Sequence, residues 1–173
     1  IIMNNKLVSV VTGGSGFVGS HLVDLLLSKG HKVKCIVRSS SNLRWLKDKD
    51  VEIIKAGLYD LEKLKEILKN ADYLFHVAGI VKAKSMEDYI KGNVETTKNL
   101  LEAIKSVNKS IKRVVIVSSL TATGPSKIGK PNNELSPLNP ITRYGISKKT
   151  EENLVKSYMK DIQIGRASCR ERV

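Results

Sequence analysis

The sequence predicts an α/β protein built on a doubly wound parallel sheet. Two observations carry that expectation. Short, β-branched apolar runs alternate along the chain with stretches of helical period, and a glycine-rich turn follows the first of those runs. Alternation of this kind requires parallel pairing through right-handed crossovers, and the ligands of such sheets sit at the carboxyl ends of the strands.

The first predicted strand is Leu7-Val8-Ser9-Val10-Val11, and Phe17 to Lys29 follows as a helix with Val18, Leu22, Leu25 and Leu26 on one stripe, closed by Gly30. Val33 to Val37 and Val51 to Ile54 read as the second and third strands, Leu61 to Leu68 as a helix, and Tyr73 to Val77 as a fourth strand. One long helix is expected from Met86 to Val107, its inner face carrying Leu100, Leu101 and Ile104. Val114 to Val117 is the fifth strand, uniformly β-branched as expected where both faces are covered. A loop rich in Gly, Pro, Ser and Asn runs from Thr121 to Asn139, and a last helix from about Tyr144 to Lys160.

With 173 residues, the chain is long enough for one domain with a real core. Lysine and arginine total 30 against 17 acids, a formal charge of +13. A nucleic-acid surface would concentrate that charge among stacking aromatics, whereas here aromatics are 5% and the lysines alternate with acids at helical spacing, as in Leu61-Glu62-Lys63-Leu64-Lys65-Glu66. Solvated helix faces are the better reading, so no nucleic-acid partner is expected, although basic surroundings favour an anionic ligand. No apolar run approaches the ~20 residues of a membrane span, and a cytoplasmic location is expected. Cys35 and Cys169 make no disulfide framework, and His21, His31 and His76 show no metal-ligand spacing; His76 reads as a packed strand residue.

Two groups of residues carry chemistry. In Thr12-Gly13-Gly14-Ser15-Gly16-Phe17-Val18-Gly19, Gly13 allows the tight turn, Gly16 lets a pyrophosphate approach the backbone, and Gly19 lets helix pack against strand. The helix that opens at Phe17 and Val18 offers unpaired N–H groups and a positive dipole end to phosphates. Far along the chain, Tyr144-Gly145-Ile146-Ser147-Lys148 sets a phenol and an ammonium four apart, on one helix face. A free phenol titrates near ~10, and an adjacent cation lowers that value toward the range useful for acid–base work.

The Gly-x-x-Gly-x-x-Gly spacing, together with Tyr144-x-x-x-Lys148, resembles the short-chain dehydrogenase/reductase superfamily, in its extended branch of NAD(P)-dependent epimerases, dehydratases and reductases. The resemblance runs from Lys6 to Lys160 and implies a Rossmann-type cofactor domain. It implies that Ser119, rather than Ser118, bonds the substrate oxygen, that Tyr144 is the acid–base group, that Lys148 also bonds the nicotinamide ribose, and that Asn93 has a structural or relay role. It places the ribose-reading position at Val37, where the family's carboxylate is absent and Arg38 follows with Ser39 to Ser41; this looks like the NADP-preferring members, with NAD the alternative. Leu58 falls where adenine contacts are implied, although Gly57 replaces the family's usual Asp. Val77-Ala78-Gly79 matches the small-residue stretch past which the cofactor runs. Thr123 stands where many nucleotide-sugar epimerases have an aromatic residue, which tilts the reading toward a reductase or dehydrogenase of another small substrate.

Extended members continue well past the catalytic helix, so most of the substrate lobe is expected to be missing and the fragment itself inactive. Homodimerisation of the full-length protein is compatible with the family. Ile162-Gln163-Ile164 can begin a sixth strand, but the segment from Ile164 to Val173 has neither strand alternation nor a helical stripe, and its three basic residues are all Arg. That decapeptide resembles the conceptual translation of a common sequencing adapter, so residues 1–163 are expected to be the cofactor-binding domain and 164–173 a non-native tail. Met3 is expected to be the natural start. Three functional readings stay open: an NAD(P)-linked oxidoreductase, a nucleotide-sugar epimerase or dehydratase that holds NAD tightly, and a non-catalytic dinucleotide-binding protein.

Overall fold

The computed structural model describes residues 6–133 and 135–169; the expected start at Met3, the last four tail residues, and the side chains of Ser168 and Cys169 lie outside what is described. Strands β1 (Val8–Thr12), β2 (Lys32–Val37), β3 (Val51–Lys55), β4 (Tyr73–His76), β5 (Arg113–Ser119) and β6 (Ile164–Cys169) form one sheet in the order β3-β2-β1-β4-β5-β6. Every neighbouring pair is parallel. The order reverses direction between β1 and β4, where the crossovers leave to opposite sides and open a crevice at the carboxyl ends.

Helix α1 (Phe17–Ser28) covers one face, and α2 (Leu61–Leu68), α4 (Thr96–Val107) and α5 (Arg143–Tyr158) cover the other. Successive side chains of a strand point to opposite faces. Val10 and Ile36 therefore enter the core under α2 and α4, while Val11, Cys35 and Val37 pack with Val23 and Leu26 of α1. On β5 the expectation of two covered faces is corrected. Val114 and Ile116 are enclosed by the helical layer, but Val115 and Val117 on the other face are half-buried: among the described residues, the cluster under α1 takes in residues of β1 to β4 and none of β5.

The expected single helix from Met86 to Val107 is also corrected. It begins as α3 (Met86–Tyr89), widens into a π-helical stretch over Ile90–Glu95, and resumes as α4. Close packing supplies the reason. A Cβ on Gly92 would lie 2.1 Å from Ile80 Cδ1, and the Asn93 side chain bonds both the N–H and the carbonyl of Ile80. The extra residue in the turn turns Asn93 onto that backbone; the Thr96 hydroxyl donates to the Gly92 carbonyl at 2.8 Å, and Thr97 Oγ1 lies 2.8 Å from the Asn93 carbonyl.

β6 covers Ile164–Cys169, where the sequence pattern predicts no regular element. A parallel partner on the open β5 edge is recruited by backbone N–H and C=O groups, which every residue type here supplies, so a strand forms without the side-chain alternation that announces one. None of the helices among the described residues is long and apolar enough to cross a membrane.

The turn after β1 is tight: Gly13 has φ +73°, and a Cβ on Gly19 would lie 2.1 Å from the Gly13 carbonyl oxygen. Gly19→Ala is expected to lower stability by about 1–3 kcal/mol, as overpacking does. Gly57→Ala, where a Cβ meets nothing within 4 Å, should stay within about 0.5 kcal/mol of the parent. Urea unfolding of both variants checks this, and equal midpoints would contradict the packing argument.

Candidate active site

The crevice floor is the junction of two backbones. Thr12 ends β1 and accepts the Val77 N–H on its carbonyl and the Ala78 N–H on its Oγ1. A Cβ on Gly13 would sit 2.6 Å from the Ala78 nitrogen, so only glycine lets the phosphate-type loop lie directly against Val77-Ala78-Gly79. Gly16, Phe17, Val18 and Gly79 are exposed along the rim above this contact. Among the helices that begin from coil, α2, α3 and α5 are capped by the side chains of Asp60, Ser85 and Thr142, whereas α1 starts at Gly16 with no side-chain cap. Its first-turn N–H groups are thus left for a ligand, and the bare backbone beside them fits a pyrophosphate.

Arg38 stands exposed just beyond β2, in a turn closed by its N–H on Ser41 Oγ and the Ser41 N–H on its carbonyl. It flanks the crevice where β2 runs beside β1. Leu58 lies past the end of β3; its half-buried side chain packs on the core and its carbonyl accepts from Asn99.

The third wall comes from β5 and α5. Strand alternation sends Ser118 to Glu152 of α5, which accepts its hydroxyl at 2.6 Å, and leaves Ser119 to accept the Thr121 hydroxyl at 2.9 Å. Thr142 caps α5 by accepting the Gly145 N–H, which fixes where the helix begins. A Cβ on Gly145 would lie 2.4 Å from the Thr121 carbonyl, so the glycine after Tyr144 lets this first turn approach the bend that follows Ser119. Tyr144 is half-buried, its ring centroid 6.2 Å from that of Tyr89. One turn on, Lys148 is buried: its ammonium donates to the Val117 carbonyl at 2.9 Å and is in ion-pair contact with Glu151. Asn93 joins this wall, since its amide also donates to Ser147 Oγ at 3.0 Å, tying the Ile80 backbone to α5.

Beneath the crevice runs a chain of buried polar contacts that the sequence reading left out. His76 Nδ1 is 2.6 Å from Thr12 Oγ1, His76 Nε2 is 2.9 Å from Thr97 Oγ1, and the Thr97 hydroxyl donates to Glu151 Oε1 at 2.8 Å. A neutral imidazole closes the chain in one direction, from the Ala78 N–H through Thr12, His76 and Thr97 to the carboxylate beside Lys148. Asn93 and Thr97 stand four apart, as do Tyr144 and Lys148, and Glu151 follows Lys148 at helical spacing; that pattern of polar residues on inner faces was the available clue. Among the described residues, no group of three or more His, Cys, Asp and Glu could hold a metal ion.

Burial, and secondarily the Lys148 ammonium, push the His76 imidazole down to about 3. Its folded-state value lies below the ~6.5 of a free side chain, so unfolding takes up a proton between those limits. The contribution is full above pH ~6.5 and is lost as pH falls toward ~3, with a slope of at most about 1.4 kcal/mol per pH unit. Denaturant unfolding of the parent and of His76→Gln between pH 7 and 4 is expected to give a flatter pH dependence for the variant. Parallel curves would contradict a neutral buried histidine.

The sequence model of the NAD dependent epimerase/dehydratase family matches residues 9–170. The ceramide reductase of Caulobacter vibrioides is 29% identical over 150 residues, covering 87% of this chain and 42% of that protein. A putative UDP-glucose 4-epimerase of Methanocaldococcus jannaschii is 30% identical, covering 86% and 50% respectively. The solved UDP-N-acetylglucosamine 4-epimerase of Methanobrevibacter ruminantium superposes with a TM-score of 0.82 at 31% identity, over 95% of this chain and 54% of that one. The chain spans about half the length of the curated relatives it matches. With its Rossmann-type sheet and its glycine loop, the chain belongs to the NAD-dependent epimerase/dehydratase family.

Proposed function

We propose that this chain is the cofactor-binding and acid–base half of an NADP-linked oxidoreductase acting on a small carbonyl or alcohol. The observation that carries the reading is the approach of the α5 first turn to the bend after Ser119, on a sheet whose adjacent strands β1, β4 and β5 bring the glycine loop, Val77-Ala78-Gly79 and Ser119 to one edge. A nicotinamide dinucleotide would lie with its pyrophosphate on Gly13, Gly16, Phe17, Val18 and Gly19 and would supply the hydride acceptor or donor. Arg38 and the serines after it would favour a 2′-phosphate on the adenosine ribose, since no carboxylate is there to repel it.

In this reading Ser119 donates a hydrogen bond to the substrate oxygen and polarises it. Tyr144 gives or takes the proton at that oxygen, and the Lys148 ammonium on the next turn stabilises the phenolate. Asn93 holds α5 against the Ile80 backbone, which keeps Tyr144 in register with Ser119. No catalytic or binding role is given to residues 164–173. A second reading, a nucleotide-sugar epimerase with tightly held NAD, is favoured by the 31% identity to the UDP-N-acetylglucosamine 4-epimerase and opposed by Thr123 in place of an aromatic side chain. Both readings need the same tyrosine.

In the full-length protein, Tyr144→Phe is expected to lower turnover by at least about 100-fold while leaving NADPH affinity within a few fold. Retained turnover would sink the acid–base assignment. Heat-denatured parent protein is expected to release no stoichiometric NAD; released NAD without net redox would transfer the case to the epimerase reading.

A further inference from the structure

The family's catalytic pattern uses Tyr144 and Lys148 but assigns nothing to Glu151, which is almost entirely buried beside them. The side chains of Lys148 and Glu151 are 4% and 2% exposed, so neither charge is screened by water. A carboxylate so placed is strongly destabilised unless something holds it, and a buried ammonium equally so. Here each holds the other. Glu151 Oε2 contacts the Lys148 ammonium, Oε1 accepts from Thr97, and the ammonium's further bond goes to the Val117 carbonyl. Burial raises the Glu151 carboxyl, and the Lys148 charge opposes that rise.

This arrangement bears on the phenol. An ammonium lowers the ionisation of a neighbouring tyrosine only to the extent that its own charge is uncompensated. Around Glu151 the ionisable groups are Lys148 and Glu152 on α5, His76 on β4 reached through Thr97 of α4, and Arg166 on β6, which is bound to Glu152 rather than to Glu151. Among the ionisable neighbours of Tyr144 are Lys148, one turn away, and the Tyr89 phenol of α3, which donates to the Val81 carbonyl. Glu151 is thus the anion paired with the ammonium on which the phenol depends.

We propose that Glu151 is a positioning residue of the Tyr144–Lys148 pair: its buried carboxylate draws the ammonium inward against the Val117 carbonyl and partly cancels the charge that the Tyr144 phenol feels. The proposal rests on the acid–base role given above to Tyr144, and it assigns the carboxylate control over the pH at which that role operates. Without Glu151 the ammonium loses its buried counter-charge, and the phenolate forms at lower pH.

The test is a tyrosine titration by NMR on the full chain labelled with 13Cζ-tyrosine, the Tyr144 signal identified by its loss in Tyr144→Phe. Glu151→Gln, which keeps the side chain's shape and an acceptor for Thr97, is expected to lower the Tyr144 pKa by about one unit, a tenfold larger phenolate fraction at a given pH. An unchanged or raised value overturns the proposal. Should that variant not fold, the parent chain still decides: a through-space dipolar correlation between the Lys148 15Nζ ammonium and the Glu151 13Cδ carboxyl is expected from their ion-pair contact, and its absence overturns the pairing. Since the readout is an ionisation rather than a turnover, the proposal can fail while the hydride-transfer reading stands. That reading fails separately, through retained activity of Tyr144→Phe.

Discussion

The contact between Gly13 and the Ala78 backbone is the constraint on which the site depends. β1 and β4 are adjacent strands, but the chain leaves them in opposite directions, toward α1 after β1 and toward α3 after β4. At such a point the two departing loops must pass each other or leave a gap. With a glycine at φ +73° and the Ala78 nitrogen within what would be Cβ contact, they pass in direct backbone contact. Apart from the exposed Phe17 and Val18 side chains on the rim, what lies above that contact is glycine and alanine backbone, so the crevice offers N–H groups and a helix dipole. Such a surface suits a diphosphate, whose charge is spread over several oxygens.

The second organising feature is buried and polar. Thr12, His76, Thr97 and Glu151 connect the end of β1 to α5 through the interior. In a low-dielectric setting every member of such a chain needs its partner, so the network fixes the relative placement of β1, β4, α4 and α5 more sharply than apolar packing would. The π-helical turn belongs to the same device. It brings Asn93 to the Ile80 backbone and to Ser147, and lets Thr97 reach both the histidine and the glutamate. A regular helix would space these side chains differently. The irregular turn is therefore the local feature that lets three elements share one set of polar contacts.

Much of this architecture was legible in the residues. The strand–helix alternation and the glycine spacing announced the parallel sheet, and the borders of α2 were readable to the residue because its apolar stripe is clean, with Asp60 capping its start. Three features were not legible, each for a physical reason. The π-helical turn arises from Gly92 packing on Ile80, a tertiary contact invisible to helical periodicity. The half-buried second face of β5 could not be foreseen, because β-branched residues suit a strand whether or not a helix lies over it. β6 carries no side-chain alternation, yet it pairs along the open β5 edge through backbone groups alone. At the site, Tyr144, Lys148 and Ser119 were named from spacing and resemblance, whereas Glu151 was passed over, since an acid beside another acid on a helix reads as solvated surface until its burial is known.

The central claim is that the edge formed by the β1, β4 and β5 carboxyl ends receives a nicotinamide dinucleotide. Its most direct test is an amide-resolved NMR titration of the chain with NADPH. The account predicts saturable shifts confined to Gly13 through Gly19, Arg38, Val77 through Gly79 and the start of α5 at Tyr144. Absence of saturable shifts, or shifts gathered at the opposite edge of the sheet around Lys105, Ile111 and Gln163, would contradict it.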